Sequence, residues 1–240
     1  MGEREPVKRV LMSWSSGKDS AWALHALRQD PSIEVVALVT TYNESFGRVA
    51  MHGVRLELLR LQAAALGLPI IEVPLPWPCP NEVYERLMEK ALHQAKAEHL
   101  ITDVAFGDLH LEDVRRYREE KMAGSGLGLL FPLWRRHTKS LAREMIDAGL
   151  KARVACLDPT RVSRKLAGAL FSHDLLDQLD ENVDPCAENG EFHTFVFDGP
   201  MFKRPVPCQP GETVERDGFV FTDLLPLTEV DQRHKMGPCY

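Results

Sequence analysis

The feature that most constrains this chain is an alternation. Short apolar runs rich in β-branched residues are separated by stretches with helical periodicity. Between the first run and the first helix lies a small polar turn, Ser13-Trp14-Ser15-Ser16-Gly17-Lys18-Asp19-Ser20. Val10 to Met12 reads as a buried strand and Asp19 to Gln29 as a helix halted by Asp30 and Pro31. Ile33 to Thr40 is the next strand. His52 to Leu66 follows as an amphipathic helix, with Val54, Leu58, Leu61 and Ala65 on one face and Gly67 at its left-handed stop. Pro69 to Val73 is a third strand. Beyond the Pro-rich loop Pro74 to Pro80, Asn81 caps a helix that runs to about Ala97. Asp103 to Phe106 gives a fourth strand, Asp108 to about Met122 a helix, and Leu129 to Phe131 a fifth strand. Strands that are apolar on both faces and joined by helices require a parallel sheet covered on both sides. The expected fold class is α/β, a five-stranded parallel sheet with helices on both faces.

After residue 131 the texture changes. A helix (Thr138 to Ala148) and a strand (Val154 to Leu157) continue the alternation, but from Asp184 turn formers and short β-like runs dominate, among them Phe192 to Phe197 and Phe219 to Leu224. The chain divides into a first domain over 1–131 and a smaller α+β domain over 132–240. No apolar run approaches the roughly 20 residues that span a bilayer, and no secretory leader is evident, so a cytoplasmic protein without a membrane partner is expected. Five cysteines, Cys79, Cys156, Cys186, Cys208 and Cys239, form no C-x-x-C pair and fit no zinc spacing, which points to reduced thiols. A net charge of -6 argues against a nucleic-acid partner.

The turn after the first strand is built to hold an anion. Backbone N–H groups and the positive end of the first helix point above the sheet there. Gly17 permits a turn that a larger residue would strain, Lys18 supplies countercharge, and the hydroxyls of Ser15, Ser16 and Ser20 supply adjustable donors. The nucleoside-triphosphatase P-loop is excluded, because Met12 stands where its first Gly belongs and Asp19 where its Ser or Thr belongs. A second cluster, Gly107-Asp108, ends the fourth strand, with Arg115, Arg118 and Glu119 on one face of the next helix. A third, Asp184-Pro185-Cys186-Ala187-Glu188-Asn189-Gly190-Glu191-Phe192-His193-Thr194, is denser in acids than a β-turn before a strand requires.

Ser15-Ser16-Gly17-Lys18-Asp19-Ser20 resembles the S-G-G-K-D-S pyrophosphate loop of the N-type ATP pyrophosphatases, with Ser16 in place of the first glycine. Asp184 to Thr194 resembles the D-x-C-G-E-x-G-E-[FY]-x-T segment of the diphthine:ammonia ligase (diphthamide synthase) family of such enzymes, with Ala187 in place of its glycine. Phe131-Pro132-Leu133-Trp134 is similar to that family's P-L-W, and Phe197 to Phe202 to its D-x-P-x-F ending. The resemblance runs from about Val10 to Phe202, and Glu-Asn-Gly-Glu-Phe-His-Thr looks like a bacterial branch.

The resemblance implies an adenine-nucleotide α-hydrolase-like, Rossmann-like fold in which the first domain binds ATP. It implies an AMP-forming ligase that adenylates a carboxylate and amidates it with ammonia. Ser15, Ser16, Gly17, Lys18, Asp19 and Ser20 would hold the phosphates. Thr40, Tyr42, His52, Gly107 and Asp108 would line the rest of the nucleotide site, with Mg²⁺ near Asp19 or Asp108. Lys18, Asp19, Glu188, Glu191 and His193 would be catalytic. Arg115, Arg118, Glu119, Glu188, Asn189, Glu191 and Thr194 would meet a carboxylate-bearing acceptor and ammonia across the cleft. The acceptor, and whether two copies of the chain associate as a homodimer, stay open. Two rivals remain, an ATP-binding regulatory module without turnover and a tRNA-modifying ATP pyrophosphatase. The second is disfavoured by the missing C-x-x-C and the negative charge.

Overall fold

A computed structural model describes residues 6–49 and 52–227. Strand β1 (Lys8–Ser13) leads through the polar turn into helix α1 (Lys18–Leu27), and β2 (Ile33–Asn43) pairs parallel with β1. A tight reversal returns as β3 (Arg48–Val49), antiparallel to the end of β2. Helix α2 (Leu56–Leu66), β4 (Ile70–Leu75), α3 (Asn81–His99), β5 (Asp103–Ala105), α4 (Glu112–Met122) and β6 (Gly128–Leu130) complete this half. The parallel strands run in the order β4-β2-β1-β5-β6. The chain thus builds outward from β1 on one side and then crosses to the other. The carboxyl ends of β1 and β5 form the switch point where ligands of open α/β sheets bind.

The expected parallel sheet is present, with β3 as an addition. Two residues carry no periodicity, and β3 forms only because Tyr42 and Asn43 project beyond the last residue of β2 paired with β1. Alternation along β1 feeds two cores. Val10, Met12 and Trp14 join α1 and α2 on one face, whereas Leu11 joins Ala37, Val39 and the α3 residues Ala91 and Ala95 on the other. Leu58 and Leu59 of α2 are fully buried, each stabilising the fold by about 2 kcal/mol through removal of apolar surface from water.

Several boundaries move for local reasons. Helix α2 begins at Leu56, not His52, because Arg55 is extended and serves as its cap. Pro80, not Asn81, caps α3, and the Asn81 amide donates instead to Glu85 at 2.6 Å. Helix α4 begins at Glu112 rather than Asp108. Strand β4 continues through Pro74 to Leu75, which the sheet tolerates because β4 is an edge strand.

In the C-terminal half, α5 (Thr138–Asp147) and β7 (Lys151–Leu157) are followed by the short helix α6 (His173–Leu176), β8 (Phe192–Asp198), β9 (Cys208–Arg216) and β10 (Phe219–Pro226). These strands make an antiparallel sheet in the order β8-β7-β10-β9. One apolar cluster runs through both sheets, joining Trp14 and Leu24 to Leu157, Phe192 and Phe195. The second sheet therefore packs on the α1 side of the first and brings β8 against the polar turn. Among the described residues no helix is long and apolar enough to cross a membrane.

Gly107, just after β5, shows how closely this assembly fits. A Cβ added there would lie 2.9 Å from Asp19 C and Ser20 N, which are backbone atoms of α1. Gly107→Ala is expected to displace the start of α1 and to destabilise the fold by about 1–3 kcal/mol, the usual cost of overpacking. Urea unfolding measures this, and a variant as stable as the wild-type protein would refute the close approach.

Candidate functional site

The polar turn is held from two directions. The Val196 amide donates to Ser16 O at 3.0 Å, and the Lys18 amide donates to Thr194 Oγ1 at 3.1 Å, so β8 lies along the turn. From below, Gln62 of α2 donates to Ser16 O at 3.1 Å and Val196 O at 2.6 Å and accepts the Trp14 indole N–H at 2.9 Å. Inside the turn, Ser15 Oγ and Ser20 Oγ lie 3.1 Å apart, and Ser20 Oγ donates to Gly17 O at 3.0 Å.

The glycine plays a different part from the one its sequence suggests. Gly17 is extended, at φ -91°, so it is not the strained residue. Its missing side chain lets His52 and Thr194 approach, since a Cβ would sit 2.9 Å from His52 Cε1 and 3.2 Å from Thr194 O. The left-handed residue is Ser16, at φ 70°. Such a conformation costs an L-residue about 1–2 kcal/mol. Two hydrogen bonds to the Ser16 carbonyl, each contributing about 1 kcal/mol net, are enough to hold it. Ala187, the second departure from the glycine pattern, is also left-handed, at φ 57°. Among the described residues the Ser16 and Thr40 hydroxyls are buried without a hydrogen-bond partner.

Lys18 is 2% exposed. Its ammonium pairs with Asp19 Oδ2 at 2.8 Å, donates to the carbonyl of Cys186, and lies 5.9 and 5.8 Å from the Phe171 and Phe192 ring centroids. Burial alone would lower its pKa, but Asp19 beside it and Glu188 further off outweigh this and hold it above its ordinary value. Glu188 Oε1 accepts the Leu109 and His110 amides at 2.9 and 3.1 Å, tying the Asp184–Thr194 loop to the segment after β5. Burial raises the Glu188 carboxyl in spite of those two bonds.

The His52 and His193 rings lie 4.7 Å apart between centroids, tilted by 42°, with His52 against Gly17. His52 Nδ1 lies 3.2 Å from Thr194 O and must donate to it, which leaves Nε2 as the unprotonated nitrogen. Burial pushes His52 down to about 3 and His193 to about 4, so both rings are neutral at neutral pH.

Other expected site residues are engaged differently. Glu191 is shut inside its own loop with no exposed surface, so it does not face the cleft. Its carboxylate accepts from Arg161 at 3.0 Å, the Asp184 amide at 3.1 Å, and the Asn189 side chain and amide at 3.1 and 3.0 Å. Burial would raise its pKa, but these donors more than offset that and hold it below the usual range. Asn189 is thereby spent on loop structure. Asp108 receives a two-pronged bond from Arg118, at 2.5 and 3.0 Å, and Arg118 lies 4.2 Å from the Phe106 ring centroid. Arg115 pairs with Glu119 at 2.7 Å and packs 4.7 Å from the centroids of both Phe131 and Trp134. Thr40 and Tyr42 stand near the carboxyl end of β2, opposite Glu72 and Pro74 of β4. A cavity of about 700 Å³ opens between α3 and α4, floored by Ser13, Val39, Val104 and Phe106, with Tyr84, Tyr117 and Arg118 on its walls.

Among the described residues no cluster of three or more His, Cys, Asp or Glu is arranged to hold a metal. Asp108 is occupied by Arg118, and Asp19, with its side chain 29% exposed, is the loop carboxylate with access to solvent. This donor set suits a Mg²⁺ that arrives on phosphate oxygens and needs one carboxylate, rather than an all-protein cage. Burial pushes the thiols of Cys156 to about 12 and Cys208 to about 11, and that of Cys186 well up, so none is an activated nucleophile. Cys239 lies outside the described residues.

Gln62 escaped the sequence reading. The available signal was an amide in the apolar stripe of α2, four residues after Leu58.

Parallel order, switch point and polar turn together define the nucleotide-binding α/β class with the N-type ATP pyrophosphatase fold. The family model for the diphthamide synthase N-terminal domain matches residues 8–128, and that for its C-terminal domain matches residues 137–221. The chain belongs to this family. It is 29% identical over 252 residues to diphthine–ammonia ligase of Danio rerio, covering 95% of this chain and 97% of that protein. It is 32% identical over 167 residues to the enzyme of that name from Rattus norvegicus, covering 66% and 62%. Identity to the Homo sapiens protein of that name is 30% over 167 residues, with the same coverage of 66% and 62%.

Two outcomes follow from these environments. Ser16→Gly and Ala187→Gly, by relieving left-handed strain, should each stabilise the fold by about 1 kcal/mol in urea titrations, and Ser16→Gly also removes an unpaired buried hydroxyl. Unchanged or lower midpoints would refute the strain. The histidines set an acid limb. Their folded pKa values lie below the ordinary 6.5, so the unfolded chain binds more protons at acid pH. The stability they contribute is complete above pH 6.5 and is lost as pH falls towards 4 and 3. The double variant His52→Gln/His193→Gln should flatten this fall in thermal midpoint, and an unaltered acid limb would exclude the pair.

Proposed function

We propose that this chain is an ATP-dependent ligase that adenylates a carboxylate and converts it to an amide with ammonia, releasing pyrophosphate and AMP. The observation that carries the reading is the meeting of two loops at one buried ammonium. Lys18 stands between Asp19 of the first-strand turn and the Cys186 carbonyl of the Asp184–Thr194 loop, within electrostatic reach of Glu188. The names of the relatives, each a diphthine–ammonia ligase, support the same chemistry.

In this reading the β- and γ-phosphates lie over Ser15 to Ser20, and the adenosine lies along Val39 to Tyr42, with its base in the cavity between α3 and α4. Arg118, fixed by Asp108, stands at that cavity, and Gly107 lets the first turn of α1 pack against the segment leaving β5. Asp19 would hold Mg²⁺, which neutralises phosphate charge when the nucleotide is bound. An acceptor carboxylate oxygen attacks the α-phosphorus, and the bond to the bridging oxygen breaks, leaving its electron pair on pyrophosphate. Lys18, charged and desolvated, exchanges the Cys186 carbonyl for a phosphate oxygen and stabilises that developing charge. Ammonia then attacks the acyl carbon, AMP leaves with the C–O electron pair, and the proton lost by nitrogen passes to His193 or Glu188. Of the two, Glu188 is the stronger base, because burial raises its carboxyl while it holds His193 down at about 4.

A reading without turnover draws on one observation. Both glycine departures, Ser16 and Ala187, are left-handed; Ser16 lies two residues before Lys18, and Ala187 follows Cys186, whose carbonyl the Lys18 ammonium bonds. Radiolabelled ATP supplied with Mg²⁺, ammonium and a pool of carboxylates separates the two readings, since only the ligase forms AMP. Lys18→Ala should lower AMP formation about 100-fold or more, as loss of one charge-stabilising donor does. Glu188→Gln keeps an acceptor for the two amides, so it should bind Mg-ATP like the wild-type protein while losing product. AMP formation that survives Lys18→Ala would refute the assignment of Lys18.

A further inference from the structure

Helix α2 buries Leu58, Leu59, Ala63, Ala65 and Leu66, and among them one amide, Gln62, with no exposed surface. Packing alone would be served by Leu or Met, and a buried amide is costly unless its groups are paired. Gln62 is paired three ways. Oε1 accepts from the Trp14 indole at 2.9 Å, and Nε2 donates to Ser16 O at 3.1 Å and to Val196 O at 2.6 Å. One planar group thus joins the exit of β1, α2 and β8.

The Ser16 carbonyl matters most. The peptide joining Ser16 to Gly17 is planar and trans, so its C=O and N–H point in opposite directions. Drawing Ser16 O inward, onto Gln62 and the Val196 amide, turns the Gly17 N–H the opposite way, towards the half-buried Ser15. Its acceptor there is Ser15 Oγ at 3.4 Å, a long bond that a stronger acceptor displaces. We infer that Gln62 is a positioning residue that aims the Gly17 amide at the pyrophosphate end of a bound nucleotide. The inference rests on the nucleotide reading above and extends it to a residue buried beneath the site, out of reach of the ligand.

The test is calorimetric titration of the full chain with Mg²⁺ and inorganic pyrophosphate at 25 °C, alongside the amide-exchange rate of Val196 and the thermal midpoint. Gln62→Met keeps the volume and loses all three bonds, and Leu58→Ala is a control that weakens the same helix without touching the amide. Gln62→Met is expected to weaken pyrophosphate binding about 10- to 100-fold and to speed Val196 exchange, whereas Leu58→Ala lowers the midpoint and leaves affinity unchanged. Should Gln62→Met not fold, Trp14→Phe, which frees the amide to turn, is expected to move affinity in the same direction by a few-fold. Affinity within about twofold of wild type in a folded Gln62 variant, or an equal loss in Leu58→Ala, overturns the inference. A wild-type protein that binds neither pyrophosphate nor Mg-ATP overturns the nucleotide reading instead. Gln62 is then judged by Val196 exchange, and a rate unchanged in Gln62→Met overturns its positioning role as well.

Discussion

The rest of the structure depends on a joint between backbone segments far apart in the chain. The turn after β1 is sewn to β8 by the Val196 amide on Ser16 O and by Thr194 Oγ1 on the Lys18 amide. Neither half makes a site alone. The turn without β8 has a left-handed serine whose carbonyl is held by Gln62 alone, and β8 without the turn leaves Thr194 and Val196 without these partners. The apolar cluster shared by the two sheets supplies the adhesion that keeps this joint closed.

Burial then gives the joint its electrostatic character. Lys18 keeps its charge in an almost dry environment because Asp19 is in contact with it and Glu188 is near. His52 and His193 lose theirs because desolvation, reinforced by the nearby Lys18 charge, disfavours the protonated ring. One region therefore holds a fixed cation next to neutral bases, because the ammonium starts from a higher ordinary pKa and has an acid in contact, while its charge helps to keep the imidazoles unprotonated. Glu191 shows the opposite use of an acid. It is as buried as any residue here, yet four donors consume its carboxylate, and it shapes the loop that presents Glu188.

Much of this was legible in the residues. Alternating periodicity located the parallel strands and the helices between them, and the helix-stop residue Gly67 is left-handed as its position suggests. The polar turn and the Asp184–Thr194 loop stood out by composition, and the structure brings them together. Less legible was the division of labour within them. Gly17 looked like the residue a tight turn demands, but Ser16 takes the left-handed conformation, and Gly17 is small because His52 must pass close to it. Asp108, Asn189 and Glu191 looked like groups aimed at a ligand, but Arg118 of the following helix engages Asp108, and Asn189 and Glu191 bond to each other, with Arg161 also on Glu191.

What the sequence by itself determined was the kind of layer each segment forms and where the chemistry-bearing turns fall, because periodicity and turn propensity act over a few neighbouring residues. What only the tertiary structure decided was which way those turns face and which of their groups stay free. Lys18 and Thr194 are 176 positions apart, and the bond between them forms only once two sheets have packed around a common core. Gln62 is the clearest case. Its neighbours in sequence mark it as a flaw in an apolar stripe, and only the folded chain places three partners around it.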